Sequence, residues 1–159
     1  MKVGVMRIRP IESLEDAEIT GATLLSFEEY EKYKYDILRI DDCWWLRSPS
    51  HYSYAAAVVD MTAAATMLVI MLYYDDYAIR PALKISNLED VEVGDKIKFD
   101  GKTFTVISPE YALCDTAIGH GAFRKDSNAA DANIYEASDV KKFVDKWFED
   151  AVKAAENVT

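Results

Sequence analysis

The stretch WWLRSPSHYSYAAAVVD, Trp44 to Asp60, holds two tryptophans, an arginine and a proline in its first six residues, then turns to serine, tyrosine, alanine and valine. Neighbouring side chains of a strand point to opposite faces, so Trp44 and Trp45 cannot share one surface and at least one belongs in a core. From Trp44 to Ile85 the chain is rich in β-branched, aromatic and alanine residues and carries no helix caps. It reads as short strands over Trp44–Arg47, Tyr54–Asp60, Met67–Tyr73 and Tyr77–Ile85. Ala63–Ala65 reads as a helical turn, because alanine is a poor strand former. Pro81 is expected at an edge or a bulge, since it cannot donate a ladder hydrogen bond.

Working outward, Val3, Val5 and Ile8 suggest a first strand ending near Pro10. Ser26 and Glu29 have capping-box spacing, and a short tyrosine-rich helix, FEEYEKYKYDI, follows. Its apolar face is expected from Phe27, Tyr30, Tyr33 or Tyr35, and Ile37. In KIKFDGKTFTVIS, Ile97 and Phe99 answer Phe104 and Val106 across Asp100-Gly101, the pattern of a two-residue hairpin. EYALCD adds a strand, and residues 116–134 read as a long irregular loop. Near the end Val140, Phe143, Val144, Trp147, Phe148, Ala151, Val152 and Ala155 recur at helical spacing, with Ser138 or Asp139 as N-cap. The whole, 1–159, is expected to be a single α+β domain.

The chain has 159 residues, half of them hydrophobic, and a formal charge of −10 from 28 acidic and 18 basic residues. That balance argues against binding nucleic acid, where Lys and Arg must neutralise phosphates. An acidic protein that competes with DNA for a basic partner stays open. No signal peptide is read at the N-terminus, and Met67 to Leu72 is far too short to span a bilayer. Synthesis in the cytoplasm is expected, with a place on a virion left open. Cys43 and Cys114 either pair or remain ordinary buried thiols.

Residues that carry chemistry are sparse. His51 and His120 lie in no metal-binding spacing, and neither GHG nor Gly94 makes a phosphate-cradling loop. Asp41-Asp42, Asp75-Asp76 and Asp126 lack the alternating positions of a calcium loop. Ser48 and Cys43 show no histidine partner. No catalytic residue, metal or cofactor is expected.

In combination, WWLRSP (Trp44–Pro49), AAAVVD and IRPALKI (Ile79–Ile85) resemble a bacterial and bacteriophage family, a domain of unknown function marked by a WLRSPG…GVRPAL frame. ATLLSFEEY resembles the segment that family carries just upstream. VGDKIKFDGKTFTVI and YEASDVKKFVDKWF resemble the family's hairpin and helix, in permuted order, so that the resemblance spans Thr23 to Phe148. It implies a C-type-lectin-like fold of short twisted antiparallel strands with two flanking helices, shared with formylglycine-generating enzymes and phage receptor-binding tips. Ser50, Met61 and Ala78 replace glycines of the frame, which would remodel turns needing positive φ. Neither cysteine lies in a motif of the formylglycine-generating branch.

Within the frame, Trp44, Trp45, Arg47, Pro49, Arg80 and Pro81 are read as structural, with Arg47 and Arg80 fixed by carboxylates or carbonyls; anion binding is the alternative for the two arginines. Ser50, His51, Tyr52, Ser53 and Tyr54 form one polar aromatic cluster, and Tyr73, Tyr74, Asp75, Asp76 and Tyr77 another. Such mixtures give large contacts at low entropic cost, as in antibody paratopes; half-buried strand tyrosines are the alternative. The resemblance implies that these loops form the ligand face, which in some phage relatives is diversified by retroelements. The favoured reading is a non-catalytic module for a protein or glycan ligand, without membrane insertion. An acidic inhibitor or DNA mimic, and an enzyme on the formylglycine-generating scaffold, are the rivals.

Overall fold

A computed structural model describes residues 19–50, 52–60, 65–86 and 92–156. The strand expected over Val3–Ile8, Ala63 and Ala64 of the expected Ala63–Ala65 turn, and His51 and Met61 lie outside them, while Ala65 begins a strand rather than ending a helical turn. In chain order the strands are β1 (Ile19–Thr23), β2 (Trp44–Pro49), β3 (Ala55–Val59), β4 (Ala65–Met71), β5 (Ala78–Ile79), β6 (Ala82–Ile85), β7 (Lys96–Phe99), β8 (Lys102–Val106), β9 (Tyr111–Cys114) and β10 (Gly119–His120). The helices are α1 (Phe27–Tyr33) and α2 (Asp139–Glu156). The fold is mixed α+β, with two five-stranded sheets ordered β1-β6-β9-β8-β7 and β10-β5-β2-β3-β4. The pairing is antiparallel except where β2 meets β5 in parallel at Trp44 and Ala78.

Three elements form where local chemistry asks for them. The Ser26 side chain accepts from the Glu29 N–H at 3.1 Å while the Ser26 N–H donates to the Glu29 carboxylate at 2.8 Å, a complete capping box. Asp100 and Gly101 adopt φ of 54° and 69°, the left-handed pair that a type I′ hairpin turn needs, and Ile97 lies opposite Phe104. Ser138 caps α2 by accepting from the Lys141 N–H at 3.0 Å.

The strand expected over Tyr77–Ile85 is instead two strands in different sheets. The chain leaves one sheet after Ile79 and enters the other at Ala82, so Pro81 sits buried at a crossover rather than at an edge or bulge. The missing N–H of proline ends one ladder there, and its carbonyl accepts from Cys114 N–H at 3.0 Å. The first helix also stops earlier than FEEYEKYKYDI suggests, passing at Lys34–Asp36 into a 3-10 turn that leaves Tyr35 exposed while Tyr30 is buried. Among the described residues positive φ is confined to Gly94, Asp100 and Gly101. Neither Ser50 nor Ala78 therefore needs the glycine that the frame would place there.

Both tryptophans are core, on opposite faces of one sheet. Trp44, Leu46, Ala57, Val59 and Ala78 meet Leu25 and Tyr30 from the α1 side and Ala82, Ile107 and Leu113 near the other sheet. Trp45, Ala56, Val58 and Ile79 pack with Phe123, Tyr135, Val140 and Val144. A strand covered on both faces reads as an unbroken apolar run, and all five residues of β3, AAAVV, are buried. Helix α2 straddles the two sheets. Val140 and Val144, in its first half, join the Trp45 cluster; Trp147, Phe148, Ala151 and Val152 pack on Leu83, Ile97, Phe99 and Phe104 of the other sheet. Phe143, expected on the buried face, is exposed at its border and lies over Gly119.

Trp45 is fully buried in β2: its ring meets Phe123 at 5.5 Å and its indole N–H donates to the Gly121 carbonyl at 2.9 Å. Trp45→Ala is expected to cost about 3–5 kcal/mol of unfolding free energy, measured by urea denaturation.

Candidate functional site

Strands β3 and β4 lie antiparallel with Ala55 opposite Met71. The segments flanking that end, 52–54 and 72–77, therefore emerge side by side. The Leu72 N–H donates to the Tyr54 carbonyl at 3.1 Å and ties them together. Because β3 is buried throughout, the tyrosines gather where the chain leaves the core. Tyr52, Tyr54, Tyr73 and Tyr74 are 50%, 38%, 51% and 44% exposed, and Ser53, Asp75 and Asp76 between them are also exposed.

The rings rest on one another. Tyr52 stacks on Tyr54 at 5.3 Å, and Tyr73 meets Tyr74 edge-on at 5.3 Å. Tyr74 contacts Tyr77 at 6.4 Å, and Tyr77 lies 5.1 Å from buried Trp45. An aromatic chain thus runs from the core to the surface. Tyr77 is its half-buried anchor rather than an open contact residue, and burial, with Cys43, Asp76 and Tyr74 nearby, raises its phenol pKa. Ser50 is committed to the turn: its hydroxyl donates to the Tyr52 carbonyl and accepts from the Tyr52 N–H, both at 3.0 Å. Buried Asn133 donates to the Tyr52 carbonyl at 3.1 Å, so the irregular 121–134 loop backs the turn and leaves Ile134 exposed beside it. Of the residues assigned to a ligand face, the structure brings Tyr52, Ser53, Tyr54, Tyr73, Tyr74, Asp75 and Asp76 to one open rim.

The frame residues sit behind this rim. Arg47 donates to the Leu24 carbonyl at 2.7 Å and to the Glu29 carboxylate at 2.5 Å, binding β2 to the start of α1. Pro49 is exposed at the end of β2. Arg80 is buried, with its Nε donating to the Cys114 carbonyl at 2.7 Å and a second nitrogen donating to the Leu38 carbonyl at 2.6 Å. Its guanidinium lies 4.9 Å from the Trp44 ring. Arg47, within β2, is thus held by a carboxylate and a carbonyl, and Arg80, in the passage between β5 and β6, by two carbonyls.

Three arrangements had no signal in the sequence, because their partners are distant along it. Glu29 gathers Arg47, the Ser26 N–H and Tyr111; burial and the Glu29 hydrogen bond push the Tyr111 phenol up to about 12. Lys96, Thr105 and Asp115 form a small polar cluster across the hairpin. His120, on β10, pairs with Asp42 at 2.6 Å, while the Gly121 N–H donates to the Tyr77 carbonyl. Cys43 and Cys114 are not joined in a disulfide; Cys114 is buried and its thiol pKa is raised by burial, whereas Cys43 is only half-buried. Among the described residues no group of three His, Cys, Asp or Glu is placed to hold a metal ion, and no helix is long and apolar enough to cross a membrane.

A family model described as "Domain of unknown function (DUF6273)" matches residues 12–87. That segment contains WWLRSP, the tyrosine clusters and IRPALKI, while the hairpin and α2 lie beyond it. No curated protein and no solved structure matches the chain.

Burial works to raise the Glu29 pKa, but the hydrogen bonds from Arg47, the Ser26 N–H and Tyr111 outweigh it and hold the carboxyl below its ordinary 4.5. A depressed native pKa contributes stability that is complete above the unfolded value and lost as pH falls through the native one. Glu29→Gln is expected to lower stability by roughly 1–2 kcal/mol at neutral pH. Its deficit against the wild type should shrink below pH 4.5 in denaturant titrations run across the acid range.

Proposed function

We propose that the chain is a non-catalytic binding module that engages a protein or glycan ligand through the tyrosine rim, on a C-type-lectin-like scaffold of phage or prophage origin. One observation carries the reading: four tyrosines, each more than a third exposed, lie on two tied segments beside the buried strand β3 and pack in two pairs, Tyr52 with Tyr54 and Tyr73 with Tyr74. Exposed aromatic patches of this kind mark interaction surfaces. Tyrosine adds a broad apolar contact and a hydroxyl while losing only two side-chain torsions on binding. The two curled sheets, antiparallel but for one pairing, with two helices are compatible with the scaffold, and Trp45 of the frame supports the rim through Tyr77.

The geometry narrows which positions a diversifying system would vary. Ala55–Val59 is wholly buried, so substitution there would disturb the core. Residues 52–54 and 73–76 stand outside the ladders and are exposed, and can change without it. The ligand is therefore expected to be read by these two short segments, with Tyr77 left constant as their anchor.

The proposal is tested by replacing Tyr52, Tyr54, Tyr73 and Tyr74 together with serine, and comparing the variant with the wild type on a glycan array and on intact bacterial cells. The wild type is expected to be retained, largely independent of salt between low and moderate ionic strength. The variant should lose retention while its melting temperature stays within a few degrees, since isolated surface changes cost little. Equal retention of the two proteins would remove the rim from the interface.

A further inference from the structure

A cavity of about 190 Å³ opens on the side of the sheet opposite Trp45, between α1, the 37–40 segment and β2. Trp44 and Ile37 supply apolar wall, and Tyr30 contributes an amphipathic ring. Lys34, Arg39 and Arg80 also line it, against a single acidic residue, Asp60. Lys34 pairs at 3.2 Å with Glu31, which stands outside the lining.

Arg80 is the unusual member. Its side chain is 1% exposed, and burial lowers its pKa only to about 10, which leaves it charged at neutral pH. Buried charges are normally paired and hydrogen-bonded, because desolvation is costly otherwise. Here two donors reach carbonyls, the Trp44 face lies alongside and the Asp115 charge favours the cation, but among the described residues Arg80 forms no direct ion pair with a carboxylate, and its Nη1 has no acceptor. One of those carbonyls belongs to Leu38, in the irregular segment that forms the cavity wall. The unsatisfied guanidinium and the cavity therefore share a boundary, and that boundary is not locked into a helix or sheet.

We propose that this cavity binds a small organic anion, a carboxylate on a flat apolar body, with the carboxylate accepting from Arg80 and the body lying against Trp44. The size fits: a cavity of about 150 Å³ accommodates benzene. Arginine presents paired donors in the planar geometry of a carboxylate. The Arg80 charge, with Nη1 still lacking an acceptor, favours the anion over a neutral analogue.

The test is a titration of the full chain with sodium benzoate, followed by the Arg80 Nε–H and the three indole N–H resonances, with benzamide as the neutral isostere. Benzoate is expected to shift Arg80 and Trp44 saturably with Kd below about 1 mM. Trp45 and Trp147, whose indoles are engaged with Gly121 and Asp100, should stay in place. Benzamide should bind at least about tenfold more weakly. Arg80→Gln should weaken benzoate by a similar factor. If that variant fails to fold, Ile37→Trp, which fills the cavity from its half-buried wall, should abolish the shifts with the fold retained. The inference is overturned if benzoate gives no saturable shift at Arg80 and Trp44, if benzamide binds as well, or if a folded Arg80→Gln or Ile37→Trp protein binds benzoate unchanged.

Discussion

Two residues, Arg80 and Pro81, carry the chain from one sheet to the other, and the rest of the molecule is arranged around that passage. Ile79 ends a strand that pairs with β2 and β10, and Ala82 begins one that pairs with β1 and β9. Proline supplies no N–H for the first ladder to continue, so the break is built into the covalent chain. Arg80 then fixes the geometry of the break. Its side chain reaches Cys114 of one sheet, the Leu38 carbonyl beyond α1, and the face of Trp44 in the other sheet. Removing the guanidinium would take this donor from the buried Cys114 carbonyl, which is costly in a dry interior. An apolar side chain of the same size could fill the space but would not choose among nearby registers of the two sheets.

From this passage follows the position of the tyrosine rim. Two sheets joined at so short a connection must bury apolar residues on both of their inner surfaces, and α2 covers the remainder by lying across both. The sheet containing β2 and β3 is thereby covered on each face, with Trp44 on one side and Trp45 on the other. Along β3, buried throughout, the sheet has no free face to offer a partner. The chain reaches solvent just before β3, and it is there that Tyr52, Tyr54, Tyr73 and Tyr74 collect. A division between frame and display near Pro49 is thus a consequence of packing: WWLRSP starts in the core at Trp44–Leu46 and comes out to water at Pro49, ahead of the turn before Ala55.

What could be read from the sequence was local. The capping box at Ser26 and Glu29, the Asp100-Gly101 hairpin and the stripe of α2 each depend on residues a few positions apart, and each forms as its spacing requires. The clustering of tyrosine in two segments was visible too, but not the hydrogen bond from Leu72 to Tyr54 that brings the segments together. Nor could sequence distinguish Tyr77, which leans on Trp45, from Tyr73 and Tyr74, which do not. The break inside Tyr77–Ile85 was hidden because strands covered on both faces give the same unbroken apolar signal on either side of it. Glu29 and Arg47 are 18 residues apart, and Arg80 and Cys114 are 34 apart. No periodicity links such pairs, and only the crossing of the sheets brings them into contact.

The packing of the rim bears on how it would work on the proposed reading. Ordering side chains at an interface costs on the order of 0.5–1.5 kcal/mol for each flexible one, and much of that is avoided when they are held beforehand. Tyr52 and Tyr54 are already stacked, and Tyr73, Tyr74 and Tyr77 already form a chain of edge contacts ending on a fixed tryptophan. The turn beneath Tyr52 is pinned by Ser50 and Asn133. Each ring supports its neighbour, so replacing one tyrosine alters the freedom of the next as well as removing its own contact. Contributions across the rim would therefore be coupled, as they are for other side chains in direct contact. Asp75 and Asp76, exposed between the tyrosines, add a negative potential where the chain as a whole is already acidic. A partner with a basic margin around an apolar centre would match that arrangement, with the charges governing approach and the packed rings governing how long the complex lasts.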